Sequence, residues 1–158
     1  MRRDNPGIDY SDLAAAPDGQ LHALVAGTSL VFLFDPVTMV NTGSVQLDGS
    51  VQSIAVAPDG TYLGASGDGY IRRFTAQGAS FDTLDTAIPG LIDVAVAATG
   101  EVVMGTALGE IVLCDAELSF SKTFLVGGGP AYVAWVPPHA TTPAARRSWG
   151  RIKDFYRR

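Results

Sequence analysis

An all-β chain made of repeated four-stranded units is predicted here, on three observations. The segment Ser53 to Gly60, SIAVAPDG, recurs as DLAAAPDG at Asp12 to Gly19 and as DVAVAATG at Asp93 to Gly100. The closing glycines stand at 19, 60 and 100, so the steps are 41 and 40 residues. A fourth copy starts at Tyr132 as YVAWVPP and then dissolves. Between these marks, short apolar runs alternate with turn residues, the pattern of strands and hairpins, and no helical stretch competes with them. Self-similarity at a period of about 40 residues marks an architecture whose units cannot bury their faces alone.

Within the second unit, Val51 to Ala57 reads as the innermost strand, stopped by Pro58-Asp59-Gly60, where proline presets the turn and glycine permits positive φ. Its alanines, Ala55 and Ala57, with Ala14, Ala15 and Ala16 in the first unit and Ala95 and Ala97 in the third, suit a place where sheets converge. Thr61 to Ser66 follows as the second strand, closed by Gly67-Asp68-Gly69. Tyr70 to Thr75 is the third, and the polar stretch from Ser80 to Thr86 is an outer strand half facing water. In the first unit the corresponding strands are Leu21 to Ala26, Leu30 to Phe34 and about Gly43 to Leu47. In the third they are Glu101 to Thr106, Glu110 to Cys114 and Phe120 to Val126. Tyr132 to Val136 is expected as a thirteenth strand, beyond the break at Gly127-Gly128-Gly129-Pro130.

A radial array of such sheets is a β-propeller. The expected blades span about 8–49, 50–90 and 91–129, with an extra strand at 130–136. The repeat resembles the NHL and streptogramin-lyase-like group of propellers on Ile54 to Gly60 and on Gly69-Tyr70-Ile71-Arg72-Arg73-Phe74. The Gly-His and Trp-Asp marks of the WD40 class are missing. The resemblance covers roughly residues 8 to 136 and implies the fold; it implies little about activity, since the matched residues build turns and core. Propellers close with roughly four to eight blades. Three blades and a strand make an incomplete ring, so assembly with further copies or with another protein is expected.

Composition supports a globular body: 47% of residues are hydrophobic and only 17% charged. No apolar run reaches the roughly 18 residues of a membrane span, and no apolar segment follows the basic N-terminal residues as a secretory signal requires. A single cysteine, Cys114, excludes an internal disulfide, and a cytoplasmic setting or one within a particle fits these features. Charge is segregated. Residues 4–143 hold fifteen acids against three bases, a net −12, whereas residues 144–158 hold six bases against one acid, a net +5.

Residues 137–147 read as a linker and 148–158 as a basic aromatic tail. Ser148 can cap two or three helical turns there that gather Trp149, Ile152 and Phe155 or Tyr156 on one face. Aromatic residues and arginine carry binding hot spots. The expected partner-binding residues are therefore Arg146, Arg147, Trp149, Arg151, Ile152, Lys153, Phe155, Tyr156, Arg157 and Arg158. Nucleic acid is expected to bind only weakly through this tail, because the acidic body repels phosphate.

Chemistry leaves few marks. The two histidines, His22 and His139, stand far apart, and no clustered Cys and His spacing for a metal is present. Cys114 reads as a small buried apolar residue. Asp12 and Asp93 share one phase, with Ser53 and Tyr132 in the same place in the other units. Such acids either cap backbone groups near a strand end or form a cation site at a channel mouth, as lactonase-like propellers do. No nucleophile elbow, P-loop or dinucleotide fingerprint appears. No catalytic residue and no cofactor is assigned. The expected function is a non-catalytic structural or interaction module in a multi-chain assembly, such as a virion or another large complex. A small-ligand-binding or lyase- or lactonase-like enzyme completed by oligomerisation is the alternative.

Overall fold

The computed structural model of the chain describes residues 8–135, so the linker at 137–147 and the tail with its expected helix lie outside the described residues. Twelve strands are formed and no helix appears among the described residues. They make three antiparallel sheets of four, each in simple meander order. The first contains β1 (Tyr10–Ala15), β2 (Leu21–Val25), β3 (Leu30–Phe34) and β4 (Asn41–Gln46). The second contains β5 (Ser53–Val56), β6 (Tyr62–Ala65), β7 (Tyr70–Phe74) and β8 (Ser80–Asp85). The third contains β9 (Leu91–Val96), β10 (Val102–Thr106), β11 (Glu110–Cys114) and β12 (Phe120–Leu125). The twelve expected blade strands are present, with ends that differ by one or two residues.

The innermost strands bring the sheets together, with β5 packed between β1 and β9. One core cluster joins Leu24 and Val31 of the first sheet to Ile54, Val56, Tyr62 and Phe74 of the second. The other joins Ala55, Leu63, Ala65 and Ile71 to Val94, Val102, Met104, Val112 and Cys114 of the third. Alternation along each strand sends one set of side chains to each neighbour. The middle sheet is thus buried on both faces, and β5 and β6 are buried along their whole length. By contrast, β1 alternates little and is mostly exposed.

The thirteenth strand is a correction. Its described part, 132–135, pairs with no ladder. Ala131 donates its N–H to the Thr106 carbonyl at 2.9 Å, and a Cβ on Gly105 would stand only 1.9 Å from the Ala131 carbonyl oxygen. The segment therefore lies where a next innermost strand would begin. Among the described residues no second strand lies beside it to make the hairpin, and Pro137-Pro138 follow it in the sequence.

Turn chemistry fixes the hairpins. Gly69 has φ +93°, its N–H donates to the Ser66 carbonyl at 3.0 Å, and Ser66 N–H donates to Tyr70 at 2.9 Å. A β-branched side chain resists this conformation, and a Cβ there would stand 3.0 Å from the Ile88 carbonyl oxygen. Gly69→Val is expected to cost about 2 kcal/mol and to lower the melting temperature by roughly 4–8 °C. An unchanged thermal transition would contradict the turn.

Candidate functional site

The shared phase of the innermost strands becomes a row of cross-sheet hydrogen bonds. Asp12 Oδ2 accepts the N–H of Ile54 in the second sheet at 2.7 Å. Ser53 Oγ accepts the N–H of Val94 in the third at 3.1 Å. Asp93 Oδ2 accepts the N–H of Val133 at 2.7 Å. Every acceptor thus holds the backbone group one residue past its own counterpart in the following unit. Innermost strands of neighbouring sheets share no ladder, so these N–H groups would otherwise lack partners. Ser53 Oγ also donates to Asp12 Oδ2 at 2.6 Å and lies 3.2 Å from Asp93 Oδ1, which ties the three side chains into one network.

This arrangement decides between the two readings of the acids. Their oxygens are engaged by amides and a hydroxyl, and among the described residues no three His, Cys, Asp or Glu side chains converge as a metal-ligand group. Tyr132, which holds the same phase in the fourth unit, is 77% exposed and does not join the row. Burial raises the Asp93 carboxyl above the ordinary 3.8; the Asp12 charge adds to this, while hydrogen bonds from Val133, Ser53 and Val94 oppose it.

His22 lies in β2 but faces the second sheet, only 6% exposed, with its ring 5.4 Å from that of Tyr62. Both of its ring nitrogens and Gln20 Oε1 are buried without a hydrogen-bond partner. Burial lowers the His22 pKa below 6.5, against the opposing charge of Asp18. The ring borders a cleft of about 390 Å³ between the first two sheets, next to the Pro17-Asp18 and Pro58-Asp59 turns. In the sequence His22 is marked only by its place in the second strand, Leu21 to Ala26. Its contact with a turn-lined cleft could have been found only by superposing the repeats, since the cleft forms between units. Cys114 is buried, and burial pushes its thiol up to about 11, which leaves it protonated and inert at neutral pH.

The ends of the array are apolar. Register puts Leu13, Ala23 and Phe32 in one row across the first sheet, and Ala15, Leu21 and Phe34 in the next. These rows lie on the face turned away from the second sheet. Leu13 is 65% exposed, and the Tyr10 ring meets those of Phe32 and Phe34 edge-on at 6.5 and 6.2 Å. At the other end Phe124, Leu125, Val126, Tyr132 and Trp135 are exposed. The expected partner-binding residues, Arg146, Arg147, Trp149, Arg151, Ile152, Lys153, Phe155, Tyr156, Arg157 and Arg158, lie outside the described residues.

Three meander sheets joined through their innermost strands define the class: a propeller-type β-repeat protein with an open array of blades. No family model matches the chain, and no curated protein matches it. Solved structures do. The chain is similar to that titled "Structure of U3-55K" (TM-score 0.64, 13% identity, 85% of this chain and 44% of that one). It is similar to the RRP9 WD40 repeats (TM-score 0.64, 14% identity, 85% and 43%). It is also similar to apo AztD from Citrobacter koseri (TM-score 0.57, 15% identity, 85% and 39%). At these identities the likeness is one of fold, and the chain spans less than half the length of each.

Substitutions at two positions test the row and the cleft. A raised carboxyl contributes stability in its protonated form, present below 3.8 and lost as pH rises through the higher folded value. Asp93→Asn keeps an acceptor for Val133, so its stability relative to wild type should improve as pH climbs from 3.8 through that window. Asp93→Ala should cost about 1–2 kcal/mol in denaturant titrations by orphaning the Val133 amide. At the other site, repeat-equivalent positions hold Leu63 and Val103. His22→Leu should gain about 1–2 kcal/mol at pH 7 by removing unpaired buried nitrogens. It should also abolish the loss of stability that wild type shows as pH falls through 6.5 toward the lowered folded value.

Proposed function

We infer that this chain is a non-catalytic interaction module of a multi-chain assembly. It docks through its bare blade flanks and through the basic aromatic residues 146–158. The observation that carries this reading is the outer face of the first sheet. Its central rows, from Leu13 to Phe32 and from Ala15 to Phe34, are apolar, and among the described residues no further strand or sheet packs over them. A contiguous apolar face on one side of a sheet is a mark of interaction surfaces. Isolated apolar side chains need no such explanation.

The finer likeness to the NHL and streptogramin-lyase-like group rests on the Ile54 to Gly60 and Gly69 to Phe74 matches. In that reading the blades are 8–49, 50–90 and 91–129, and partners supply the rest of a ring. A virion or another large particle is a natural setting for such a piece. The lyase- or lactonase-like alternative needs free acid and base groups at the blade mouth. Asp12 and Asp93 are already engaged there, which favours the non-catalytic reading.

The test is particle mass by light scattering over a concentration series, together with binding of an apolar fluorescent dye. Either a multimer that Leu13→Asp dissociates, with strand content kept by circular dichroism, or a monomer whose flank binds dye in a Leu13-dependent way supports the reading. A monomer that binds no dye overturns it. In the first case a chain ending at residue 143 should keep its strands and lose the assembly. Assembly unaffected by the truncation would remove the tail from the docking surface.

A further inference from the structure

The two inter-blade clefts are built on equivalent positions and differ in one decisive respect. Between the second and third sheets, a cleft of about 340 Å³ is lined by Asp59, Thr61, Leu63, Arg73, Thr99 and Ala116 among others. Arg73 crosses it: the guanidinium donates through Nη2 to the Ala116 carbonyl of the third sheet, and Nη1 lies 3.9 Å from Asp82 Oδ2. Its charge also helps to hold the Asp59 carboxyl below its ordinary value, after the hydrogen bonds from Thr61. This cleft therefore contains a cation of its own.

Between the first and second sheets the same frame lacks that cation. His22 pairs with Leu33 across β2 and β3, just as Leu63 pairs with Arg73 across β6 and β7. Leu33 thus stands where Arg73 would, and Ala76 stands where Ala116 does. The acidic side is richer: Asp18 is the counterpart of Asp59, and Asp59 itself borders this cleft from the second sheet, where the other cleft has Thr99. The floor changes as well. Thr61 and Leu63 are replaced by Gln20 and His22, whose Oε1 and ring nitrogens are shielded from solvent and have no partner. Unmet hydrogen-bonding capacity in a buried polar group is costly, and its persistence in a native fold calls for a reason.

We propose that the cleft between the first and second sheets binds a guanidinium group supplied from outside, in the place that Arg73 fills in the neighbouring cleft. The planar fork of a guanidinium presents five donors and no acceptor. The carboxylates of Asp18 and Asp59 and the Ala76 carbonyl, counterpart of that of Ala116, are the acceptors it would meet at the cleft; Gln20 Oε1 and one nitrogen of neutral His22, shielded from solvent beneath, are acceptors it would reach by turning the Gln20 side chain. Tyr62 and Leu33 form the apolar walls for its methylene stem. An ammonium matches this set less well, being compact and more strongly hydrated. The same chemistry can arrive as a free small molecule or as an arginine side chain of a peptide.

The experiment is a titration of the full chain, with backbone amide shifts at Gln20, Gly60 and Ala76 and the His22 ring as reporters. The probes are agmatine, a capped Ala-Arg-Ala peptide and butylamine. Saturable shifts with a Kd of about 1 mM are expected for the guanidinium probes, with butylamine weaker. Tighter binding of the peptide assigns the site to an arginine side chain; equal or tighter binding of agmatine assigns it to a free small molecule. Asp18→Asn with Asp59→Asn should weaken binding about tenfold. Leu33→Arg should fill the cleft from within and abolish the shifts, while Leu33→Met keeps them. Absence of saturable shifts in the wild-type chain, or shifts that persist unchanged in a folded Leu33→Arg variant, would overturn the proposal.

Discussion

A four-stranded sheet with apolar side chains on both faces is stable in water only between two neighbours, and the rest of this structure follows from that constraint. The middle sheet satisfies it, with Ile54, Val56 and Phe74 buried on one side and Ala55, Leu63 and Ile71 on the other. The outer sheets use closely related sequence but have one neighbouring sheet each among the described residues. YSDLAA in β1 is mostly exposed while SIAV in β5 is fully buried. The difference lies in what stands beside the strand and owes little to the strand itself. Such quasi-one-dimensional arrays gain stability from each added interface.

Apolar contact alone would let the sheets slide. The polar row at the innermost strands sets their stagger, because each acceptor reaches one particular N–H of the next unit. Asp12 with Ile54, Ser53 with Val94 and Asp93 with Val133 repeat the same step. Two of the three acceptors are carboxylates, and charge-assisted bonds are the stronger kind. The last step also explains the position of residues 131–133. They are held as though a fourth unit followed, although no ladder forms there.

Much of the fold was legible in the sequence, for reasons that can be named. Glycines at 19, 60 and 100 all adopt positive φ, as the turn reading requires, and period-2 apolar runs between them gave the strands. Less legible was whatever depends on two units at once. The shared phase of Asp12, Ser53 and Asp93 was visible, but not that each side chain would be directed at the following unit's backbone. His22 had no mark beyond its place in a strand because Tyr62, whose tilted ring lies against it, is 40 positions away. The turn after the third strand was also partly hidden. Gly78 takes the left-handed conformation in the second unit, while Leu118 takes it in the third with φ +62°. Leu118 stays there because it is also buried in the core between the second and third sheets, so tertiary packing overrides the local preference.

The outer face of the first sheet repeats, position by position, a face that is buried in the second. The face that the second sheet presents to the first is built from Ile54, Val56, Tyr62, Gly64 and Phe74. At the same positions the first sheet has Leu13, Ala15, Leu21, Ala23 and Phe34. Both sets place a phenylalanine on the third strand opposite a large residue on the second, Phe74 opposite Tyr62 and Phe34 opposite Leu21, with a small residue, Gly64 or Ala23, two positions along the second strand. A face meant for solvent would alternate with polar residues, as antiparallel sheets with one wet side do. Here the pattern is kept as if a sheet were to be received, and Phe32 replaces the position that Arg72 holds in the second unit, which makes the surface more apolar still. The geometry that joins the first two blades is therefore the best guide to the shape of whatever covers the first.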